Sequence, residues 1–368
     1  MPYALADDIV ATIDHIQITR SELQKHMNQS YGEEEAEALL DTIYRINLKE
    51  LICFKVIEDK VSKVKVNCTP KDYTEDMDRY EAPFFEYYLQ YGLAHLERWK
   101  KELYPFIMKN ARLKQERGTW IEMLQTKIIR PEDKNIFLDV WKQLLENKQS
   151  KNELRKLVFK KYSISPAIFK DRIRLMTKFR KNVEKKLNPE EVAKFAEKEK
   201  FALADGVVHI QHIFLKTYGG KSEQEVLAKI QKIAREIQPD LSNFSECVTK
   251  YSEDLDSKFK GGSLGWVPRW TTSTIYSAFL SHIGWIPHPT VETLKEVVQA
   301  GYSLPLQQVS QPIKTKYGYH LVVVKQRQEG KNITQKELIE RARNMMTMLK
   351  MDELLKKWLN TAKVDIKI

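Results

Sequence analysis

His209-Ile210-Gln211-His212-Ile213-Phe214-Leu215-Lys216 is the stretch on which the fold of this chain turns. With Val207 and Val208 before it, the segment is rich in β-branched and aromatic residues and holds no glycine or proline, so Val207 to Leu215 reads as a strand. Successive side chains on a strand point to opposite faces, and the three-residue spacing of His209 and His212 therefore sends their rings apart. That argues against one metal held by both, and no metal is expected. For either histidine alone, a hydrogen-bonded strand residue is the plain alternative to a chemical role.

Downstream of this strand the pattern keeps changing period. Ser222 to Ile237 and Phe244 to Lys250 are helical, Gly261-Gly262 marks a turn, and Lys314 to Lys325 reads as a second strand. Mixed elements of this size make an α+β unit. Asp205-Gly206 marks its start. Just before it, Asn188-Pro189-Glu190-Glu191 combines an Asn cap, proline in the first turn and acid near the N-terminus, which sets a helix start.

The flanks are mostly helical. Ile9 to Ile13 is β-prone, His15 to Gln17 can turn, and Thr19-Arg20-Ser21-Glu22 has the spacing of a capping box. Leu40, Ile43, Tyr44, Leu48, Leu51, Phe54, Ile57 and Val61 form one helical stripe, and Thr69-Pro70 opens another helix. Residues 71–200 read as helices broken at Gly92, Pro105, Gly118, Pro131 and Pro166. Tyr91-Gly92-Leu93 with Trp99, and Tyr162-Ser163-Ile164 with Phe169, are either a degenerate helix-pair repeat or chance similarity. Thr334 to Asn360 returns to helix and Val364 to Ile368 is an alternating strand. The first and last strands are each too short to stand alone, so they are expected to pair, with the last helix packing on the N-terminal helices.

The expected fold class is therefore α+β and multidomain: a mainly helical, discontinuous domain built from N- and C-terminal segments, with an α+β domain inserted. The divisions fall at 1–204, 205–328 and 329–368. A chain of 368 residues agrees with two or three units. Its 42% hydrophobic and 30% charged residues fit a globular chain, and no apolar run approaches the ~18 residues of a membrane span. The net charge of +11, from 61 basic and 50 acidic residues, is interleaved with acids on helices, which favours solvated faces over a nucleic-acid footprint. Cys53, Cys68 and Cys247 are too few for a disulfide framework or a zinc site, although a Cys53–Cys68 pair stays open. Ala4-Leu5-Ala6 looks like the end of an export signal already removed.

Four motifs in order, His209 to Lys216, Tyr251-Ser252-Glu253-Asp254, Gly261-Gly262-Ser263-Leu264-Gly265-Trp266 and Ser310 through Lys316-Tyr317-Gly318-Tyr319-His320, resemble the parvulin-type peptidyl-prolyl isomerases. The flanking strands and helices are similar to those of the SurA and PrsA group of exported folding factors, which implies a periplasmic or otherwise exported location. By that resemblance His212 and His320 face each other beneath a bound prolyl peptide, Asp254 stands at a cysteine-or-acid position beside them, and Thr315 supplies a hydroxyl to the network. Leu264 and Tyr317 match groove positions; Trp266 and Val297 complete the expected substrate-binding set. The expected activity is non-covalent rotation about X-Pro bonds without a cofactor. Expected partners are unfolded or nascent exported polypeptides, outer-membrane proteins among them, with no nucleic acid, no integral membrane segment and peripheral membrane contact. The same residues leave open a holdase whose parvulin unit binds peptide silently, and a basic helical nucleic-acid binder.

One departure from the parvulin pattern lies at Trp270 to Pro289, an apparent insertion rich in aromatics, including Tyr276, Phe279 and Trp285, able to cover or extend a groove. Phe84, Phe85, Tyr87, Tyr88, Met345, Met346 and Met348 are either adaptable client contacts or ordinary core.

Overall fold

The computed structural model describes residues 8–31, 41–78, 151–156, 166–220, 222–270 and 294–367. The breaks at Gly92, Pro105, Gly118 and Pro131, the 91–99 member of the repeat and Tyr162 to Ile164 of the other, the 270–289 insertion beyond Trp270, and Phe84 to Tyr88 lie outside them. Two compact units are present: residues 1–182, 278–285 and 354–368 form one, and 183–277 with 286–353 the other.

In the first unit, β1 (Ile9–Ile13) and β2 (Ile16–Thr19) form an antiparallel hairpin in register Ile13 with Ile16. The turn is therefore Asp14-His15, beginning one residue before the expected His15 to Gln17 and shorter by one. Asp14 takes a left-handed φ of 51°, which a short polar residue tolerates better than Gln17 in a longer turn. Its carboxylate accepts from Lys363 N at 2.9 Å. Glu22 and Thr19 complete the expected capping box at the start of α1 (Arg20–Tyr31), each backbone N–H donating to the other's side chain at 3.2 Å. On α2 (Asp41–Ser62), Leu48, Leu51, Phe54, Ile57 and Val61 are all buried; Leu40 and the side chains of Ile43 and Tyr44 lie outside the described set. Residues 70–78 are helical, and Asp76 is held by a buried ion pair, 2.8 Å from Arg180 Nε on α3 (Pro166–Glu184).

The second unit begins with α4 (Pro189–Lys198), where Asn188 accepts from Glu190 N at 2.8 Å as its cap requires, and the short α5 (Lys200–Leu203). Then β3 (Val207–Lys216) enters an antiparallel sheet, followed by α6 (Glu223–Glu236), α7 (Phe244–Tyr251), α8 (Leu255–Lys258), β4 (Ser263–Val267), α9 (Lys295–Ser303), β5 (Ile313–Lys314) and β6 (Gly318–Gln328). The strand order is β4-β3-β6-β5. The expected strand over 314–325 is thus a hairpin: β5 turns at 315–317 into β6, with Ile313 opposite His320. Gly318 makes the corner possible, because a Cβ there would lie 2.0 Å from Leu215 O.

Alternation along β3 and β6 divides the core. Ile213, Leu215, Leu321 and Val323 pack with α6 and α7 on one face, while Val208, Ile210, Val322 and Val324 pack with α9 on the other. Leu338 and Ala342 of α10 (Gln335–Thr361) pack on Leu187, Val192, Ala196 and Leu203. The later turns of α10 belong to the first unit, where Trp358 stacks on Phe179 at 5.0 Å, and β7 (Val364–Ile366) pairs with β1 as expected. The sheet of that unit is ordered β2-β1-β7. Cys68 is a free thiol, so the open Cys53–Cys68 bridge does not form. Among the described residues, no helix is long and apolar enough to cross a membrane.

Candidate active site

His212 lies opposite Val322 in the β3–β6 ladder, which makes His320 its diagonal neighbour on the same sheet face. The two rings lie 19° from parallel with centroids 5.3 Å apart, and their Nδ1 atoms are 3.1 Å apart. Both residues are buried. Phe214, opposite His320 in the ladder, also stacks on its ring at 4.6 Å. An imidazole between a second ring and a phenyl group has little water around it.

Asp254 reaches this pair from the N-cap of α8, where its side chain accepts from Asp256 N at 3.3 Å. Its Oδ2 is 2.8 Å from His212 Nε2. On the far side, Thr315 Oγ1 is 3.1 Å from His320 Nε2 and accepts from Tyr317 N at 3.3 Å. Local geometry fixes this order. Gly262, with φ of 78°, comes so close to β3 that a Cβ would lie 2.3 Å from His212 O, and Gly262 O accepts from His212 N at 2.9 Å.

The electrostatics follow from these contacts. The hydrogen bond to His212, first, and that from Ser257 hold the Asp254 carboxyl down at about 2, against an opposing burial effect. Burial, reinforced by neighbouring His212, pushes His320 down to about 3. Asp254 is thus the fixed anion and His320 a neutral imidazole at neutral pH. With His212 neutral, the order that fits these contacts has Thr315 O–H donating to His320 Nε2, His320 Nδ1–H to His212 Nδ1, and His212 Nε2–H to Asp254; Thr315 Oγ1 also lies 3.3 Å from Gly318 O, its second acceptor. The result is a chain of dipoles ending on the half-buried Asp254 carboxylate.

Of the eight expected site residues, His212, His320, Asp254 and Thr315 come together. Leu264 packs on the core at the same sheet face as His212, and Tyr317 is partly exposed at the turn beside Thr315. Trp266 is not brought to the cluster. It lies opposite His209 with its ring edge-on at 5.4 Å, because the bulge beside Gly265 turns Leu264 and Val267 inward instead. Val297 lines no open wall: it is fully buried on the α9 stripe that packs against Val208 and Ile210. Met345 and Met346 pack against the α4–α10 cluster.

Two participants were not anticipated. Phe214 was visible as the residue two beyond His212 on the same strand face. Ser257, buried, donates to Asp254 Oδ2 and lies 3.0 Å from His212 Nε2; its three-residue spacing from an N-cap acid was the available signal. Among the described residues, no group of three or more His, Cys, Asp or Glu side chains is placed so that it could hold a metal ion.

Residues 212–326 match the Rotamase family, described as the PPIC-type PPIASE domain. The chaperone SurA of Saccharophagus degradans (strain 2-40) is 30% identical over 162 residues, which is 43% of this chain and 32% of that protein. The chaperone SurA of Legionella pneumophila (strain Lens) is 30% identical over 151 residues, 41% of this chain and 30% of its own. This chain therefore spans about a third of the length of these curated relatives. Among solved structures, the peptidylprolyl isomerase PrsA from Bacillus anthracis aligns over 60% of this chain and 87% of that chain, at 22% identity and a TM-score of 0.32. Residues 212–326, with the paired histidines on one sheet face, are a parvulin domain of the PPIC type, carried in a chain similar to the SurA chaperones.

Proposed function

We propose that this protein is an exported folding factor that binds unfolded polypeptides and catalyses cis-trans isomerisation of their X-Pro bonds without a covalent intermediate. In this reading the parvulin domain occupies 205–328, and 1–204 with 329–368 form the client-binding domain. The observation that carries it is the convergence of His212, His320, Asp254 and Thr315 on one sheet face of a PPIC-type domain. Periplasmic clients, including outer-membrane proteins, fit the similarity to SurA, and the net charge of +11 suits acidic client segments and anionic membrane surfaces.

The barrier to X-Pro rotation is about 20 kcal/mol because the amide loses conjugation as it twists. The twisted amide is less polarised than either planar isomer, so an environment that removes water favours the transition state over both ground states. Leu264 and Tyr317 supply apolar contact for the prolyl ring. The Thr315 to Asp254 chain presents oriented dipoles to the substrate carbonyl at no reorganisation cost during the twist. No group leaves and no bond forms, so the reaction needs no cofactor.

A second reading, a silent holdase, keeps the peptide-binding role and drops the catalysis. Two assays on the intact chain separate them: suppression of aggregation of an unfolded client, and protease-free isomerisation of a short X-Pro peptide. Activity in both supports the proposal. Aggregation suppression with a silent isomerase assay selects the holdase, and inactivity in both overturns the folding-factor reading.

A further inference from the structure

The hydrogen-bond chain from Asp254 to Thr315 needs a hydrogen on His212 Nε2, facing Asp254, and something must hold it there. A carboxylate alone is a weak constraint, since its two oxygens can rotate and an imidazole can swing to meet either. Here a third group stands at the same corner. Ser257, the third residue of α8, is buried, donates its hydroxyl proton to Asp254 Oδ2 and sets its own oxygen 3.0 Å from His212 Nε2. With its proton committed to the carboxylate, that oxygen has only lone pairs to offer the histidine. Two acceptors, Asp254 Oδ2 at 2.8 Å and Ser257 Oγ at 3.0 Å, therefore converge on one ring nitrogen. Only the tautomer with hydrogen on Nε2 satisfies both.

We infer that Ser257 is a positioning residue: it locks His212 as the Nε2–H tautomer and so sets the direction of the whole chain through His320 to Thr315. It acts through His212 and need not touch substrate. The backbone of the same residue has a separate task. Ser257 O accepts from Lys260 N at 2.8 Å and Gly262 N at 2.9 Å, which shapes the turn leading into β4. Removing the hydroxyl leaves these backbone bonds in place, so the role of the side chain is separable from folding of the loop.

This inference rests on the isomerase reading for its kinetic consequence but not for its structural one. The test is Ser257→Ala in the intact chain, with Ser257→Thr as the hydroxyl-retaining rescue, read by ¹⁵N chemical shifts of the His212 ring and by isomerisation kinetics. Ser257→Ala is expected to shift the His212 nitrogens towards a mixed tautomer and to lower kcat about tenfold at unchanged KM, the size of one lost hydrogen bond to a charged group. It is also expected to move the acid limb of the pH profile upward, since Asp254 loses a donor. Ser257→Thr restores the shifts and the rate. Wild-type nitrogen shifts in Ser257→Ala overturn the inference, whatever the kinetics. A wild-type chain with no isomerase activity removes the proposed function instead, and the tautomer measurement alone then decides the role of Ser257.

Discussion

Acid should loosen the parvulin domain by an amount that the burial of His320 fixes in advance. In the unfolded chain this imidazole takes its ordinary value of 6.5, whereas burial and the adjacent His212 hold it near 3 in the folded domain. As pH falls below 6.5 the unfolded chain binds this proton first, so stability drops, and it continues to drop until the folded protein accepts the proton near pH 3. Each pH unit inside that window is worth about 1.4 kcal/mol. Between about pH 7.5 and about pH 4.5 the loss from this one residue comes to about 3 kcal/mol. Asp254 has the same sign but a lower window, from its ordinary 3.8 to about 2, and contributes almost nothing above pH 4.5. The two groups are therefore distinguishable by where stability is lost. The assay is urea unfolding followed by hydrogen exchange at the buried amides of Leu321 to Val324, for the wild type and His320→Gln, at both pH values. His320→Gln starts less stable but lacks the proton linkage, so the wild type should lose about 3 kcal/mol more than the variant. Equal losses, within about 0.5 kcal/mol, would refute the claim that His320 is held neutral by its surroundings.

Further outcomes follow from particular contacts. Val297→Ala should cost roughly 2 kcal/mol in urea unfolding through the cavity it leaves, with peptide affinity unchanged, because Val297 is buried against Val208 and Ile210. Asp76→Ala should cost roughly 3 kcal/mol in thermal or urea unfolding by removing the buried carboxylate 2.8 Å from Arg180 Nε, and Asp76→Ala with Arg180→Met should recover part of that loss. Gly318→Ala should disrupt the β5–β6 corner, since the added carbon would meet Leu215 O; loss of slow exchange at His320 is the readout.

Much of this fold was legible because its signals are local. The capping box at Thr19 to Glu22, the Asn188 cap and the alternation of β3 each depend on a few neighbouring residues, and each formed as its chemistry requires. The opposite facing of His209 and His212 followed from the two-residue period alone. Other features depended on tertiary geometry. The turn at Asp14-His15 was set by the register of Ile13 with Ile16 rather than by turn propensity, and the break after Lys314 by the close passage of Gly318 over Leu215. Which face of α9 turns inward, and hence the core position of Val297, was decided by packing against the sheet. Trp266 faces His209 rather than the histidine pair for a related reason, because one bulge reverses the face a strand residue presents. Motif order could bring the two histidines and Asp254 into one hypothesis, but the hydroxyl of Ser257 belongs to the network only through the three-dimensional meeting of α8 with β3.

The central claim is that this buried polar chain catalyses X-Pro rotation, and exchange spectroscopy of an X-Pro peptide tests it most directly. With the intact protein, cis-trans exchange cross-peaks should appear at catalytic protein concentrations, and His212→Ala and His320→Ala, each folded by circular dichroism, should remove most of that exchange. A folded wild type that binds the peptide yet leaves its exchange at the uncatalysed rate of tens of seconds or slower would contradict the account.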